Sequence, residues 1–160
     1  GLVDLFDNLV VVRTFSKAWC LPGLRVGYAI TGPEVADVLH RVRSGYEVHQ
    51  IAVDVATCLL THEKEMLASV DRILSGRDYF RTEMLALGLT APTTAANFCL
   101  VELGSSLTEV KRRLRGLVEF RSAFDHPSMS GLSRFTAATT EQIEPVVEVI
   151  RQVVDGSSVT

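Results

Sequence analysis

The chain has 160 residues, of which 47% are hydrophobic and 22% are charged, and its net charge is −3 at pH 7. This length suits one domain, or a domain with an appendage, that buries a core without disulfide or metal support. The composition argues against disorder, and the small negative charge argues against a general nucleic-acid-binding protein. No stretch approaches the roughly 20 apolar residues of a membrane-spanning helix. We therefore expect neither a nucleic-acid nor a membrane partner.

The N-terminal residues lack the basic and apolar segments of a secretory signal peptide. The cysteines, Cys20, Cys58 and Cys99, are odd in number and widely spaced, which is not the pattern of a disulfide framework. The four histidines do not cluster with them at zinc spacing. We expect three reduced, mostly buried thiols in a cytoplasmic protein.

The first elements are two strands and a helix. A short β-branched run predicts a buried strand at 8–15, a loop of small residues follows at 16–23, and a weak alternation predicts a strand at 25–30. Thr31 or Gly32 is the expected N-cap of a helix that begins at Pro33. One face of this helix is apolar and carries Val35, Val38, Leu39 and Val42.

Two long helices are predicted next. The helix at about 48–61 is expected to bury Ile51, Val55 and Leu59. The helix at about 63–87 has apolar residues at helical spacing, and Gly88 is suited to its C-terminal cap. These apolar residues are Met66, Val70, Ile73, Leu74, Phe80, Met84 and Leu87.

The remaining residues predict a compact β-α-β-β-α unit, with a sheet on one side and helices on the other. Ser106 and Glu109 have the spacing of a capping box, and Val146, Val147 and Ile150 are expected to pack inward. Residues 156–158 are typical of a frayed tail. The predicted elements are a strand at 96–103, a helix at 106–114, strands at 117–124 and 132–137, and a helix at 139–154.

A lysine directly follows the first predicted strand, and hydroxyl groups and a cation lie close to it in sequence. Lys17 at a strand end can be partly desolvated and act as a nucleophilic amine that forms a Schiff base with an aldehyde. Thr14, Ser16 and Arg25 can hold a phosphate, the hydroxyls as donors and the guanidinium as a bidentate clamp.

Ser16-Lys17 followed by Gly23-Leu24-Arg25-Val26-Gly27-Tyr28 resembles the cofactor-lysine segment of fold-type I pyridoxal-phosphate aminotransferases, closest to the histidinol-phosphate aminotransferase branch. The resemblance implies an α/β fold: the C-terminal part of the large cofactor-binding domain, followed by a small α+β domain. Residues 1–45 would be the remnant of the large domain, 46–88 long connecting helices, and 89–160 the small domain.

The same resemblance assigns roles at the cofactor. Pyridoxal 5′-phosphate would be carried by Lys17, which then acts as general base and acid in catalysis. Ser16 and Arg25 would bind the cofactor phosphate, with Thr14 as a weaker candidate.

The resemblance extends toward the C-terminus. Residues 96–98 are similar to the start of the family's small-domain strand, and 139–142 to the cap of its last helix. Arg134 resembles the arginine that clamps the substrate carboxylate, and Arg121 an arginine that contacts the distal group of the substrate.

The chain also departs from the family pattern. Cys20 stands where a small, glycine-type residue is usual, and Ala138 and Thr140 replace a common glycine and proline. The family's first half, which supplies the ring-stacking aromatic residue, the aspartate on the pyridine nitrogen, and the Asn and Tyr on the ring oxygen, is not matched, and Asp4 and Asp7 are in the wrong context to replace that aspartate. Without those strands, the first strand would have unpaired edges and an uncovered apolar face.

We therefore interpret the chain as the C-terminal half of an aminotransferase that needs an N-terminal half. The expected reaction is transamination between an amino acid or amino phosphate of the histidinol-phosphate type and a 2-oxo acid, in amino-acid biosynthesis, by a homodimer. The alternatives are an amino-acid-phosphate decarboxylase or lyase on the same fold, and a non-catalytic truncated interaction domain. A generic phosphate-binding domain has little support, because the chain has no P-loop or Gly-x-Gly-x-x-Gly motif.

Overall fold

The computed structural model describes residues 1–156. Residue contacts divide the chain into two compact units, Gly1–Ser69 and Val70–Thr160. Short 3-10 turns occur at Leu2–Asp4, Pro22–Leu24, Leu60–His62, Gly104–Ser106 and Pro127–Met129. The main elements are β1 (Val10–Thr14), β2 (Gly27–Thr31), α1 (Pro33–Val42), α2 (Gln50–Leu59), α3 (Glu63–Ala86), β3 (Phe98–Glu102), α4 (Leu107–Leu114), β4 (Leu132–Thr136) and α5 (Thr140–Val154).

The sheet of the first unit is an antiparallel pair, with Val10 opposite Thr31 and Thr14 opposite Gly27. Both predicted strands are confirmed, but the first is not buried: the side chain of Val12 is 75% exposed. Within residues 1–156, β1 pairs with β2 alone, so its outer edge and much of its apolar surface remain open. This agrees with the expectation of an uncovered strand.

The helices of the first unit begin where the sequence predicts, but they bury other residues. α1 begins at Pro33 with Gly32 as N-cap, and its apolar face stays half-buried or exposed. The expectation that α2 buries Ile51 and Val55 is wrong: Ile51 is 61% exposed. α2 is apolar on more than one side, so periodicity does not select the face that packs. Its small residues Ala52 and Ala56 are buried instead, and they form one core cluster with Phe15 and Val26.

The second unit contains the larger core. β3 and β4 pair antiparallel, with Leu100 opposite Arg134. One face of this sheet is buried and the other is open, as alternation predicts. α3 and α5 have their predicted positions, and Gly88, with φ +74°, follows the end of α3. The fully buried side chains of this core include Phe80, Met84, Val101, Val110, Phe135, Val147 and Ile150.

Two local predictions in the second unit are wrong. The strand expected at 117–124 is reduced to one bridge between Arg121 and Arg134. The capping box at Ser106 does not form, because the Glu109 carboxylate instead accepts charge-assisted hydrogen bonds from two arginines of its own helix. A capping box does form at the start of α5, where the Gln142 amide oxygen accepts from the Thr139 amide at 3.2 Å.

The three cysteines are free, and only Cys99 is buried. The expectation of mostly buried thiols is therefore wrong for Cys20 and Cys58. Among residues 1–156, no helix is long and apolar enough to cross a membrane, and no group of three or more His, Cys, Asp or Glu side chains could hold a metal ion. The predicted frayed tail includes Ser157 and Ser158, which lie outside the described residues.

Candidate active site

The hairpin formed by β1 and β2 brings the predicted cofactor-binding residues to one end. Beyond the last ladder pair, the Phe15 amide donates to the Val26 carbonyl at 3.1 Å. Ser16 and Arg25 are the next residues on the two chain segments, and Lys17 follows Ser16. Because the chain turns back at this hairpin, the residues that follow β1 and those that precede β2 lie at the same end of the ladder.

The loop that carries Lys17 is held by backbone hydrogen bonds. The Leu21 amide donates to the Phe15 carbonyl at 3.0 Å, and the Cys20 amide donates to the Lys17 carbonyl at 2.9 Å. Phe15 is buried, and the Trp19 ring lies 5.9 Å from its ring. The Lys17 side chain is exposed and makes no ion pair or hydrogen bond with another of the described residues. A fixed backbone therefore presents an unpaired amine.

The candidate phosphate ligands lie on the same hairpin. The Thr14 hydroxyl oxygen accepts from the Ser16 amide at 3.0 Å, which leaves the Thr14 O–H free to donate. The Arg25 guanidinium donates to the Pro22 carbonyl at 2.9 Å. This bond uses one of its five donors, and Arg25 has no carboxylate partner among residues 1–156.

Three backbone positions in this loop and at the start of β2 restrict which residues fit. Cys20 and Arg25 have φ +56° and +54°, in the left-handed region where side chains are unfavourable. At Gly27, a Cβ would lie 2.7 Å from the Arg13 carbonyl oxygen, so no larger residue fits without movement of the backbone. The sequence identifies Cys20 as unusual for the family, but its conformation is visible only in the structure.

The predicted substrate arginines are brought together in the second unit. Arg121 and Arg134 exchange backbone hydrogen bonds of 3.1 and 2.7 Å, and directly opposite residues of an antiparallel pair direct their side chains to the same face. Both side chains are exposed, and neither has an ion-pair partner in the part of the chain that the structure describes. Two unpaired guanidinium groups on one face favour the binding of anions.

Aromatic rings orient these arginines, a feature that the sequence reasoning missed. The Arg134 guanidinium carbon lies 5.5 Å from the centroid of the Phe98 ring, and that of Arg121 lies 4.7 Å from the Phe124 centroid. Arg121 also donates to the Ala123 carbonyl at 2.9 Å. Phe98 could have been found from strand register, because it shares a face of β3 with Leu100, which lies opposite Arg134.

A family model described as aminotransferase class I and II matches residues 2–150. The chain belongs to the class I and II aminotransferase family. The chain is 42% identical over 105 residues to an aromatic amino acid aminotransferase of Mycobacterium tuberculosis, a match that covers 66% of this chain and 30% of that protein. A protein of the same name from Rhodococcus jostii is 41% identical over 106 residues, 64% of this chain and 30% of that protein.

Solved structures show this aminotransferase fold directly. The histidinol-phosphate aminotransferase of Clostridium acetobutylicum matches with a TM-score of 0.85 and 20% identity, over 98% of this chain and 49% of that one. The enzyme of Sinorhizobium meliloti, solved in complex with pyridoxal-5′-phosphate, matches with a TM-score of 0.77 and 22% identity, over 95% and 42% of the two chains. The chain thus spans about half of these structures or less, and the expected mixed α/β fold is confirmed.

Proposed function

We propose that this aminotransferase chain supplies the cofactor-lysine and substrate-arginine half of a pyridoxal-phosphate-dependent enzyme that transfers an amino group between an amino acid and a 2-oxo acid. The observation that carries the proposal is the end of the hairpin, where Ser16 and Lys17 follow β1 and Arg25 precedes β2, directly beyond the hydrogen bond from the Phe15 amide to the Val26 carbonyl.

The chemistry of this donor set fits two ends of pyridoxal phosphate. The unpaired amine of Lys17 suits its aldehyde, and the hydroxyls of Ser16 and Thr14 with the guanidinium of Arg25 suit its phosphate. The pyridine nitrogen needs a carboxylate from outside this hairpin, since residues 10–31 contain no Asp or Glu. When bound, the cofactor supplies an electron sink for negative charge at the substrate α-carbon.

The residues of the chain then have distinct tasks. The Lys17 amine takes and returns the proton at the substrate α-carbon. Arg134 binds the substrate α-carboxylate through two parallel hydrogen bonds, with Phe98 beneath its guanidinium. Arg121, held by Phe124 and the Ala123 carbonyl, contacts the distal group of the substrate.

The substrate class follows from these two arginines. Their pairing favours a substrate with an α-carboxylate and a second anionic or polar group, of the histidinol-phosphate type. The relatives from Mycobacterium and Rhodococcus are named aromatic amino acid aminotransferases. An aromatic side chain is therefore an equally direct candidate for the distal group of the substrate. A decarboxylase is the alternative, supported by the fold of L-threonine-O-3-phosphate decarboxylase from Porphyromonas gingivalis, with a TM-score of 0.80 at 21% identity over 96% of this chain and 49% of that one. Product analysis separates these reactions.

The proposal includes a completing half, a homodimer, and a role in amino-acid biosynthesis in the cytoplasm. The completing half is supported by the 30% of the relatives' length that the match covers. The exposed apolar side chains of Val12, Val42 and Ile51 in the first unit support it as well. A non-catalytic interaction domain remains the competing function, and it predicts a folded chain that does not take up cofactor in the presence of a completing half.

Borohydride reduction tests the proposal directly. The chain, combined with the N-terminal half of a related aminotransferase, is incubated with pyridoxal phosphate, reduced and mapped by mass spectrometry. The chain has three lysines, Lys17, Lys64 and Lys111, and we expect stoichiometric labelling at Lys17 alone. Lys17→Ala should abolish the label and Lys64→Ala should leave it unchanged. Equal labelling of all three lysines, or none at Lys17, would refute the proposed function.

A further inference from the structure

A small cleft at the C-terminal end of α4 contains none of the predicted active-site residues, although its Phe120 directly precedes Arg121 in the chain. It has a volume of about 220 Å³ and is lined by Lys111, Arg115, Val118, Glu119 and Phe120. Its two cations are four residues apart, so they lie on the same side of the helix end. Both side chains are exposed.

Only some of the basic side chains at α4 are paired with a carboxylate. Glu109 accepts hydrogen bonds from Arg112 at 2.7 and 2.8 Å and from Arg113 at 2.7 Å, and these bonds lower the pKa of Glu109 to about 2. Neither Lys111 nor Arg115 forms an ion pair or a side-chain hydrogen bond with another residue of 1–156. Two neighbouring cations therefore line the cleft without an ion-pair partner, and the cleft has one carboxylate, that of Glu119.

Lys111 and Arg115 are not needed to satisfy the last backbone carbonyl of the helix. Basic side chains often satisfy the last carbonyls of a helix. Here the Leu114 carbonyl already accepts from the amides of Leu117 at 2.9 Å and Val118 at 3.1 Å. Lys111 and Arg115 are therefore available to a ligand.

The opposite wall of the cleft is apolar and fixed. Val118 and Phe120 are half-buried and pack against the core of the second unit. The Phe120 ring stacks on the buried Phe135 ring, with centroids 4.4 Å apart and planes 15° apart. The cleft is thus a rigid aromatic surface beside two cations, and its volume is below that of a typical drug-sized site.

We propose that this cleft binds a small aryl or alkyl phosphate monoester. The dianionic phosphate lies between the Lys111 ammonium and the Arg115 guanidinium, which donates in a bidentate manner. The organic group lies on Val118 and Phe120. Glu119, on the rim, disfavours ligands that carry a second anionic group near the apolar wall.

Titration with phenyl phosphate, inorganic phosphate and benzoate, followed by amide chemical shifts of the full chain, tests this site. None of these probes has an aldehyde, so none can condense with Lys17. We expect phenyl phosphate to shift amides 111–120 and to bind at least about tenfold more tightly than either other probe. Lys111→Gln or Arg115→Gln should weaken this binding about tenfold, since each removes a charge-assisted hydrogen bond.

Arg112→Gln is the matched control, because it removes the same charge from the same helix at a residue already paired with Glu109. We expect it to change the affinity less than twofold. Equal weakening by Arg112→Gln would show diffuse attraction to a basic helix and would overturn the proposal. Shifts confined to residues near Arg25 or Arg134 would also overturn it, without bearing on the proposed aminotransferase function.

Discussion

Arg121 and Arg134 exchange two backbone hydrogen bonds, from the Arg121 amide to the Arg134 carbonyl at 3.1 Å and in the reverse direction at 2.7 Å. Their guanidinium groups consequently share one exposed face, and each lies over an aromatic ring. Two like charges are tolerated there because the face is open to solvent, and a dianionic substrate would relieve their repulsion.

The first prediction distinguishes the two arginines in the completed enzyme. Arg134→Lys should lower kcat/KM for an amino acid about ten- to hundredfold, since a lost charge-assisted hydrogen bond costs about 1.5–3 kcal/mol. Arg121→Lys should have a comparable effect only for substrates with a distal anionic group. Arg112→Lys serves as the surface control. Equal effects of both substitutions on alanine, which has no distal group, would contradict the assigned roles.

The second prediction concerns the close approach of α3 to the segment before α5. A Cβ on Gly76 would lie 2.0 Å from the Ala138 carbonyl oxygen and 2.7 Å from the Thr139 carbonyl carbon. Gly76→Ala must therefore displace backbone, and we expect it to lower the free energy of unfolding by about 1–3 kcal/mol or more. Ser75→Ala, one residue earlier on an exposed position, should change it by about 0.5 kcal/mol or less. Urea unfolding of both variants measures the difference.

The third prediction uses the left-handed conformation of Cys20. A side chain at this φ costs about 1–2 kcal/mol, whereas glycine loses about 0.5–1 kcal/mol more backbone entropy on folding. Cys20→Gly should therefore raise the free energy of unfolding by about 0.5–1 kcal/mol. Cys20→Ala keeps the Cβ and should not. A stabilised alanine variant would show that the thiol, rather than the backbone, is responsible.

The fourth prediction concerns thiol reactivity. Cys20 and Cys58 are exposed, and Cys99 is buried. Burial raises the pKa of Cys99 from 9.0 to about 11, with nearby Arg77 opposing this rise. A disulfide reagent at pH 8 should modify two thiols rapidly and the third only after denaturation, because the thiolate is the reactive form. Cys99→Ala should retain both fast reactions.

The same thiol makes stability depend on pH. The pKa of Cys99 is higher in the folded chain than in the unfolded chain. The contribution of its protonated thiol to the free energy of unfolding is therefore complete below about pH 9 and is lost as the pH rises toward about 11. The Tm measured from pH 8 to 11 should decrease more steeply with pH for the wild-type chain than for Cys99→Ala. If the Tm of both chains decreases in parallel, groups other than Cys99 cause the loss of stability at alkaline pH.

Much of the fold could be predicted from local sequence signals. Gly88 follows the end of α3 and Pro33 begins α1 as predicted, because a cap or a proline acts within a few residues. The resemblance implies a cap at 139–142, and the structure forms it as a capping box of Thr139 and Gln142. The failed predictions have two different causes. Ile51 is exposed because no other part of residues 1–156 covers it. The Glu109 carboxylate accepts from two arginines of its own helix instead of capping it, so here one local interaction replaces another.

For the candidate site too, some features could be predicted from the sequence and others depended on the tertiary structure. The sequence by itself determined the residue types and their order, since Ser16, Lys17 and Arg25 stand in a stretch that resembles the cofactor-lysine segment of fold-type I aminotransferases. Only the tertiary structure decided that a hairpin ladder brings these residues to one end and that Arg121 lies opposite Arg134. It also decided that Phe98 supports a guanidinium and that Lys111 and Arg115 remain unpaired beside an aromatic wall. The reason is physical: strand register and side-chain pairing depend on residues far apart in the chain, whose contacts form only when the whole unit packs.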